Sequence, residues 1–126
     1  MINNYQQFGY NAGRVWNAVN NAGCSSEEEM MDLTNLREYE VCMAIGWLAR
    51  EDKIRKDGEQ YSINNTNLTY EIGENAGKIW RCLYQEGVEN VHTLLDKTNL
   101  SYREFYKAIG WLSRENKIKI NLDKIK

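Results

Sequence analysis

The sequence has very few of the residues from which catalytic and metal centres are built. Its 126 residues include one histidine, His92, and three cysteines, none of them in a C-x-x-C pair. Such cysteines indicate neither a disulfide framework nor a zinc cluster. No Ser/His/Asp set and no G-x-x-x-x-G-K-[ST], G-x-G-x-x-G or H-E-x-x-H motif occurs, and one histidine leaves little for acid–base chemistry. We therefore predict that the protein is not an enzyme and has no catalytic residues, no metal site and no cofactor.

Long apolar runs are also missing. No stretch approaches the roughly 20 apolar residues that a membrane-spanning helix needs. The first seven residues lack the charged and apolar regions of a signal peptide. We expect no membrane association and a cytoplasmic location.

The main feature of the sequence is an internal repeat. Residues 44–54 read A-I-G-W-L-A-R-E-D-K-I, and residues 108–118 read A-I-G-W-L-S-R-E-N-K-I. Residues 8–62 align with residues 72–126 at a constant shift of 64, without a gap and with about 20 identities in 55 positions. This repeat predicts two structural units: copy one (residues 1–63) and copy two (residues 72–126), joined by a linker (residues 64–71). Residues that are 64 positions apart are called counterparts below.

Both copies predict the same order of elements. Apolar residues at helical spacing mark a first helix, a short second helix and a third helix at about 38–51 and 102–115. A pair of short β-prone runs then predicts a hairpin. The fold class is therefore mainly α with small β-hairpins, in two tandem winged helix-turn-helix units. The residues that predict helix ends are Gly23 and Gly87 as left-handed caps, and Ser26, Asn90 and Ser101 as N-caps.

The motifs themselves resemble a known family. Both copies are similar to a small family of bacterial and archaeal winged helix-turn-helix domains of unknown function. Its members carry N-A-G-x-[IV]-W in the first helix and A-I-G-W-L-x-R-E-x-K-I through the third. The resemblance covers nearly all of residues 8–62 and 72–126. By analogy of fold it implies DNA binding.

The charge of the two copies differs in a way that bears on partners. Residues 8–62 contain 6 Lys and Arg against 10 Asp and Glu, which gives −4, and residues 72–126 contain 10 against 7, which gives +3. The outward face of the third helix in copy two is basic and aromatic, as suits the DNA major groove and backbone, and the following hairpin adds lysines. The alternative is an ordinary solvated helix face. The predicted nucleic-acid-binding residues are Tyr102, Arg103, Tyr106, Lys107, Arg114, Lys117 and Lys119, with Lys124 and Lys126 extending the same surface.

The same face in copy one suits a protein partner better than phosphate, because it is apolar around a glycine. We expect this strip to be buried against copy two or against another chain; the alternative is that it completes the local core. The predicted interface residues are Tyr39, Cys42, Met43, Gly46, Trp47, Gly110 and Trp111.

The repeated Gly-Trp pair requires an explanation, because glycine inside a helix costs about 1 kcal/mol relative to alanine. One alternative is close packing of the two third helices about a pseudo-two-fold axis, so that one chain imitates a homodimer. This packing would partly cover the faces that read DNA and would disfavour DNA binding. The other, which we prefer because Trp16 and Trp80 also need neighbours, places each glycine under the first helix of its own copy, with the tryptophan as part of the core. The acidic run at residues 27–29 is interpreted as a solvated helix start.

Two functions from different classes remain open. The first is a DNA-binding regulator in which the third helix of copy two contacts duplex DNA. The second is a protein-interaction or assembly module on a winged-helix scaffold that does not bind DNA, with a partner or a second chain held through copy one. The winged-helix scaffold favours the first and the overall negative charge favours the second, so the first is placed only narrowly ahead.

Overall fold

The computed structural model describes residues 4–87, 89–121 and 124–125. In this part of the chain copy one consists of α1 (Asn4–Ala22), α2 (Glu27–Thr34), α3 (Glu38–Arg50), β1 (Ile54–Asp57) and β2 (Gln60–Ile63). Copy two consists of α4 (Thr69–Glu86), β3 (Glu89–Asn90), α5 (Val91–Thr98), α6 (Tyr102–Arg114), β4 (Ile120–Asn121) and β5 (Lys124–Ile125). The order is that of a winged helix-turn-helix, written twice, and both Gly-Trp pairs are helical.

The helix ends follow the local signals in the sequence. Ser26 and Glu29 form a capping box at the start of α2, in which each side chain accepts a hydrogen bond from the other residue's backbone N–H. Ser101 forms the same box at the start of α6, and the Asn90 side chain accepts from Thr93 N at the start of α5. Gly23 follows α1 with φ 87°, a conformation that glycine adopts without a Cβ clash.

The backbone repeats between the copies in detail. Outside glycine, positive φ angles occur at the counterparts Asn35 (60°) and Asn99 (56°), which end the second helices. They also occur just after the third helices, at Asp52 (62°) and its counterpart Asn116 (57°). Asparagine and aspartate tolerate this left-handed region better than most residues. The two units therefore turn at the same places.

The wing is larger than the hairpin that the sequence predicts. β1 and β2 pair antiparallel from Ile54 opposite Ile63 to Asp57 opposite Gln60. In copy two β5 lies between β4 and β3, so that a strand just before α5 joins the hairpin. Copy one has the equivalent contact as a single bridge between Ser25 and Tyr61. The sequence does not predict β3, because a strand of two residues shows no recognisable alternation of apolar and polar side chains.

The linker between the copies is shorter in the structure than the predicted residues 64–71. α4 already begins at Thr69, and Leu68 just before it is 5% exposed within the core of copy one. Thr66 N donates to Asp52 Oδ1 at 2.8 Å, and the Asn67 side chain binds the backbone of Lys56. These side chain–backbone hydrogen bonds hold the linker against copy one. Because the contacts are polar, the sequence of the linker shows no apolar periodicity from which its order could be predicted.

The two cores are joined. Each copy has its own cluster of buried apolar side chains, but Met43 of copy one belongs to the cluster of copy two. Ile72 of α4 in turn belongs to the cluster of copy one, and Phe8 packs against both. The contact that joins them most extensively is that of α3 with α6.

Candidate interface between the two copies

The third helices meet at their glycines. A Cβ built on Gly46 would collide with the backbone carbonyl of Lys107, and one built on Gly110 would collide with that of Met43. The same hypothetical atoms would lie 3.0 Å from Trp111 N and 2.8 Å from Met43 Cα. Any larger residue would force the helices apart, so close packing offsets the low helix propensity of glycine.

Contacts at the other end of these helices are reciprocal. Arg50 Nε lies 3.0 Å from Glu115 Oε2, and the counterpart Arg114 Nε lies 2.9 Å from Glu51 Oε2. Because residue i contacts residue j and the counterpart of i contacts the counterpart of j, the copies are related by a pseudo-two-fold axis.

The two guanidinium groups also stack on the two tryptophans of the repeated motif. The Arg50 guanidinium lies 5.7 Å from the centre of the Trp111 ring, and that of Arg114 lies 5.7 Å from the centre of the Trp47 ring. At this distance a guanidinium is attracted to the face of the indole ring. Each arginine of the motif therefore has both its partners, the carboxylate and the ring, in the other copy.

The tryptophans also pack within their own copies. A Cβ on Gly9 of α1 would lie 3.1 Å from the Trp47 ring, and one on Gly73 of α4 would lie 3.5 Å from the Trp111 ring. The alternative that we preferred from the sequence is therefore right about the tryptophans. It is wrong about Gly46 and Gly110, which face each other's helix across the pseudo-two-fold axis.

The N-terminal ends of α3 and α6 carry the asymmetry in charge. Arg103 of α6 is within 2.6 Å of Glu27, 3.0 Å of Glu28 and 2.8 Å of Glu38, all in copy one. Lys107 Nζ lies 2.6 Å from Glu27 Oε2, and both side chains are largely buried, with 13% and 11% exposed. The excess positive charge of copy two therefore neutralises part of the excess negative charge of copy one.

Glu27 is the centre of this cluster. Its Oε2 accepts a hydrogen bond of 2.5 Å from the Tyr61 hydroxyl, in addition to its ion pairs. Burial raises the pKa of Glu27, but hydrogen bonds from Lys107, Tyr61 and Arg103 outweigh it and hold that pKa at about 2. The hydrogen bond to Glu38 is the main cause of a raised pKa at Arg103. Glu27 and Arg103 are thus both charged at neutral pH.

Aromatic and sulfur side chains fill the space beside these charges. The Tyr39 and Tyr106 ring centres are 5.4 Å apart, and Tyr106 also packs on Tyr102 at 4.9 Å. Cys42 is 1% exposed, and burial raises the pKa of its thiol to about 12. Tyr102 is 45% exposed and so lies at the rim.

The face of α6 that the sequence predicts to bind nucleic acid is covered at its centre by copy one. Arg103, Tyr106 and Lys107 face α2 and α3, and Arg114 is paired with Glu51. Periodicity identified the face but not what covers it. The positions that remain exposed are Tyr102, Lys117 and Lys119; Lys126 lies outside the described residues, as does the side chain of Lys124.

The apolar strip of copy one lies on the other side of the same contact. Tyr39, Met43 and Gly46 face α6. Cys42 is buried where the charges of Lys107 and Arg103 act on it, and Trp47 reaches Arg114. The strip is therefore occupied within the chain. The two surfaces that the sequence predicts as functional cover each other.

The acidic partners of the cluster were missed. The run at residues 27–29 was interpreted as solvated, but Glu27 is 9% exposed and ion-paired, whereas Glu28 and Glu29 are exposed. One signal was present in the sequence: the counterpart of Glu27 is Val91, so a carboxylate stands where the repeat has an apolar residue.

The described residues were also compared with the patterns of metal sites and membrane-spanning helices. Among the residues that the structure describes, no three His, Cys, Asp or Glu side chains are grouped as metal ligands would be. No helix of the described part is long and apolar enough to cross a bilayer.

Comparison with known proteins identifies the repeated unit. A family model described as "Winged helix-turn-helix domain (DUF2582)" matches the chain twice, at residues 3–64 and 63–125. No curated protein and no solved structure matches the chain. The two matches coincide with the two copies that share the Gly-Trp contact, and the chain therefore belongs to the DUF2582 winged helix-turn-helix family, as a tandem of two domains.

Proposed function

We propose that the protein is an interaction or assembly module on a winged-helix scaffold, a binding protein rather than an enzyme, and that it does not read duplex DNA with α6. The observation that carries this proposal is the ion pair of Lys107 with buried Glu27. A lysine whose side chain is 13% exposed and held 2.6 Å from a carboxylate is not available to a phosphate.

Freeing the α6 face would require the copies to separate. A helix that reads the major groove must present its side chains to base edges, whereas Arg103, Tyr106 and Lys107 of α6 contact α2 and α3. Separation would break the reciprocal Arg–Glu pairs and expose Met43, which is buried in the core of copy two. The net charge of −2 also gives no general attraction to a polyanion.

A titration of mixed-sequence duplex DNA tests the proposal. Fluorescence polarisation at about 50 mM salt, where the electrostatic part of binding is strongest, should show no saturable binding. Saturable binding that weakens with salt at a log–log slope of about −0.9 per phosphate, and that is lost in Arg103→Ala, would overturn the proposal.

A second candidate is duplex binding through the wing of copy two. It is favoured by the winged helix-turn-helix family and by the exposed lysines Lys117 and Lys119. In this case binding should be lost in Lys119→Glu and retained in Arg103→Ala. Arg55→Glu is the matched control, because Arg55 is the counterpart of Lys119 on the wing of copy one.

A further inference from the structure

α4 carries an exposed aromatic face that the contact between the copies does not use. Tyr70 is 81% exposed, Tyr84 77% and Trp80 38%. The Trp80 and Tyr84 rings stack on each other, with centres 5.0 Å apart and planes at 21°. Large exposed apolar surfaces are uncommon on monomers, and this stacked pair with Tyr70 on the same helix favours a site of interaction.

The residues of this face recur at the spacing of a helix–helix seam. Tyr70, Gly77 and Tyr84 are seven residues apart, and Gly73 and Trp80 each follow three residues after a member of that series. Positions that repeat in this way form one stripe along a helix. Gly73 lies under the Trp111 ring of its own copy, and the four outward-facing residues Tyr70, Gly77, Trp80 and Tyr84 are called the α4 stripe.

The centre of the stripe is open to a second backbone. A Cβ built on Gly77 would meet nothing closer than an Arg81 guanidinium nitrogen at 3.4 Å, an ordinary contact. Packing among the described residues therefore does not require glycine here, although glycine inside a helix lowers stability relative to alanine. The missing side chain lets the backbone of a second helix come close from outside.

Copy one provides a contrast at the same positions. The counterparts of Tyr70 and Tyr84 on α1 are Gln6 and Asn20, while the counterpart of Gly77 is Gly13. The aromatic part of the stripe is therefore a property of copy two and not of the repeated fold.

We propose that the α4 stripe binds the α4 stripe of a second copy of this chain, antiparallel, about a two-fold axis at Gly77. Tyr70 then packs on Tyr84 of the partner subunit, and the glycine backbones meet at the centre. This inference rests on the proposed function and names the partner.

Charge complementarity selects the second copy and the antiparallel direction. Glu74 and Arg81 are both exposed and lie on either side of Gly77, three residues before it and four after it. An antiparallel pair brings Glu74 beside Arg81 of the partner subunit, and the two-fold axis repeats this contact. In a parallel pair Glu74 and Arg81, which are seven residues apart, would lie on opposite sides of the seam from the same residues of the partner subunit, and these ion pairs could not form.

Sedimentation velocity over a concentration series tests the inference. The protein should sediment as a concentration-dependent dimer, and Tyr84→Asn, which installs the residue of copy one, should give a monomer. Tyr10→Asn is the matched control, because Tyr10 is 65% exposed on α1 outside the stripe. Its sedimentation should not change. Circular dichroism of each variant shows that the fold is intact.

A charge swap makes the test specific for the antiparallel pairing. Arg81→Glu should weaken the dimer roughly tenfold, and combining it with Glu74→Arg should restore the affinity. A wild-type protein that is monomeric at every concentration overturns the inference, as does a dimer that Arg81→Glu leaves unchanged. A monomer that binds no duplex DNA leaves the proposed function standing, whereas duplex binding that depends on Arg103 contradicts the proposed function itself.

Discussion

Replacing Lys107 with methionine, the residue at its counterpart position 43, removes one of the two cations that lie 2.6 Å from Glu27 while keeping an apolar stem of similar length. The pKa of Glu27 falls from its ordinary 4.5 to about 2, a difference of 2.5 units. At 1.36 kcal/mol per unit, the net stabilisation of the charged carboxylate is about 3 kcal/mol, shared among its three donors. Removing one member of a buried pair costs about 3–5 kcal/mol. Arg103 and Tyr61 still donate to Glu27, so we expect Lys107→Met to cost about 2–3 kcal/mol.

Urea unfolding of a double-mutant cycle measures this directly. Glu27→Gln replaces the carboxylate with a neutral amide that needs no cation. Adding Lys107→Met to this variant should therefore cost about 1–2 kcal/mol less than in the wild-type background. Lys119→Met is the control: an exposed lysine of the same copy, whose replacement should change the free energy of unfolding by less than about 0.5 kcal/mol. If Lys107→Met behaves like Lys119→Met and the cycle shows no coupling, the buried cluster does not exist in solution and the argument against DNA reading by α6 fails.

Three further outcomes follow from the same contacts. Gly110→Ala should destabilise the protein by about 1–3 kcal/mol in urea unfolding, because its Cβ would strike the Met43 carbonyl. Gly13→Ala, where a Cβ meets nothing within 4 Å, should stabilise the protein by up to about 1 kcal/mol. Equal effects of the two substitutions would contradict the close packing of α3 and α6. The contribution of Glu27 to the free energy of unfolding should be complete above pH 4.5 and be lost as pH falls from there towards 2, because its pKa is lower in the folded than in the unfolded state. Acid titration of Glu27→Gln should therefore show a shallower loss of stability than that of the wild type. An unchanged profile would refute the lowered pKa of Glu27. Iodoacetamide should label exposed Cys24 and spare Cys42 in the native protein, because Cys42 is buried and its thiol pKa is raised to about 12. Mass spectrometry measures the labelling of each cysteine. Equal labelling of the two would contradict a closed interface between the copies.

Local signals in the sequence were sufficient for the unit fold. The capping box at Ser26 and the cap at Gly23 each depend on neighbours a few residues away, and both are present in the structure. The repeat shows that the same local signals occur a second time, 64 residues later. The family and the winged helix-turn-helix order follow from the same short-range information. The third strand and the start of α4 were missed because their hydrogen bonds connect residues that carry no apolar pattern.

The way in which the copies pack could not be read from periodicity. A stripe of apolar residues shows that a helix face is covered, but a basic face such as that of α6 is equally compatible with water, phosphate or an acidic surface. Arg103 meets Glu27 and Glu38 only because the fold brings together residues 76 and 65 positions apart. The difference in charge between the halves, −4 against +3, pointed to this pairing more directly than any single motif did.

The central claim is that α3 and α6 pack backbone to backbone at Gly46 and Gly110, with the charges of one copy neutralised by the other. Nuclear Overhauser effects in the isotope-labelled protein measure this contact without any substitution. We expect cross-peaks from the Gly110 α protons to the Met43 α proton, and from the Gly46 α protons to the Lys107 and Trp111 backbone. If both sets of cross-peaks are missing in a protein whose α3 and α6 resonances are assigned and helical, the two copies do not meet as described and the account is wrong.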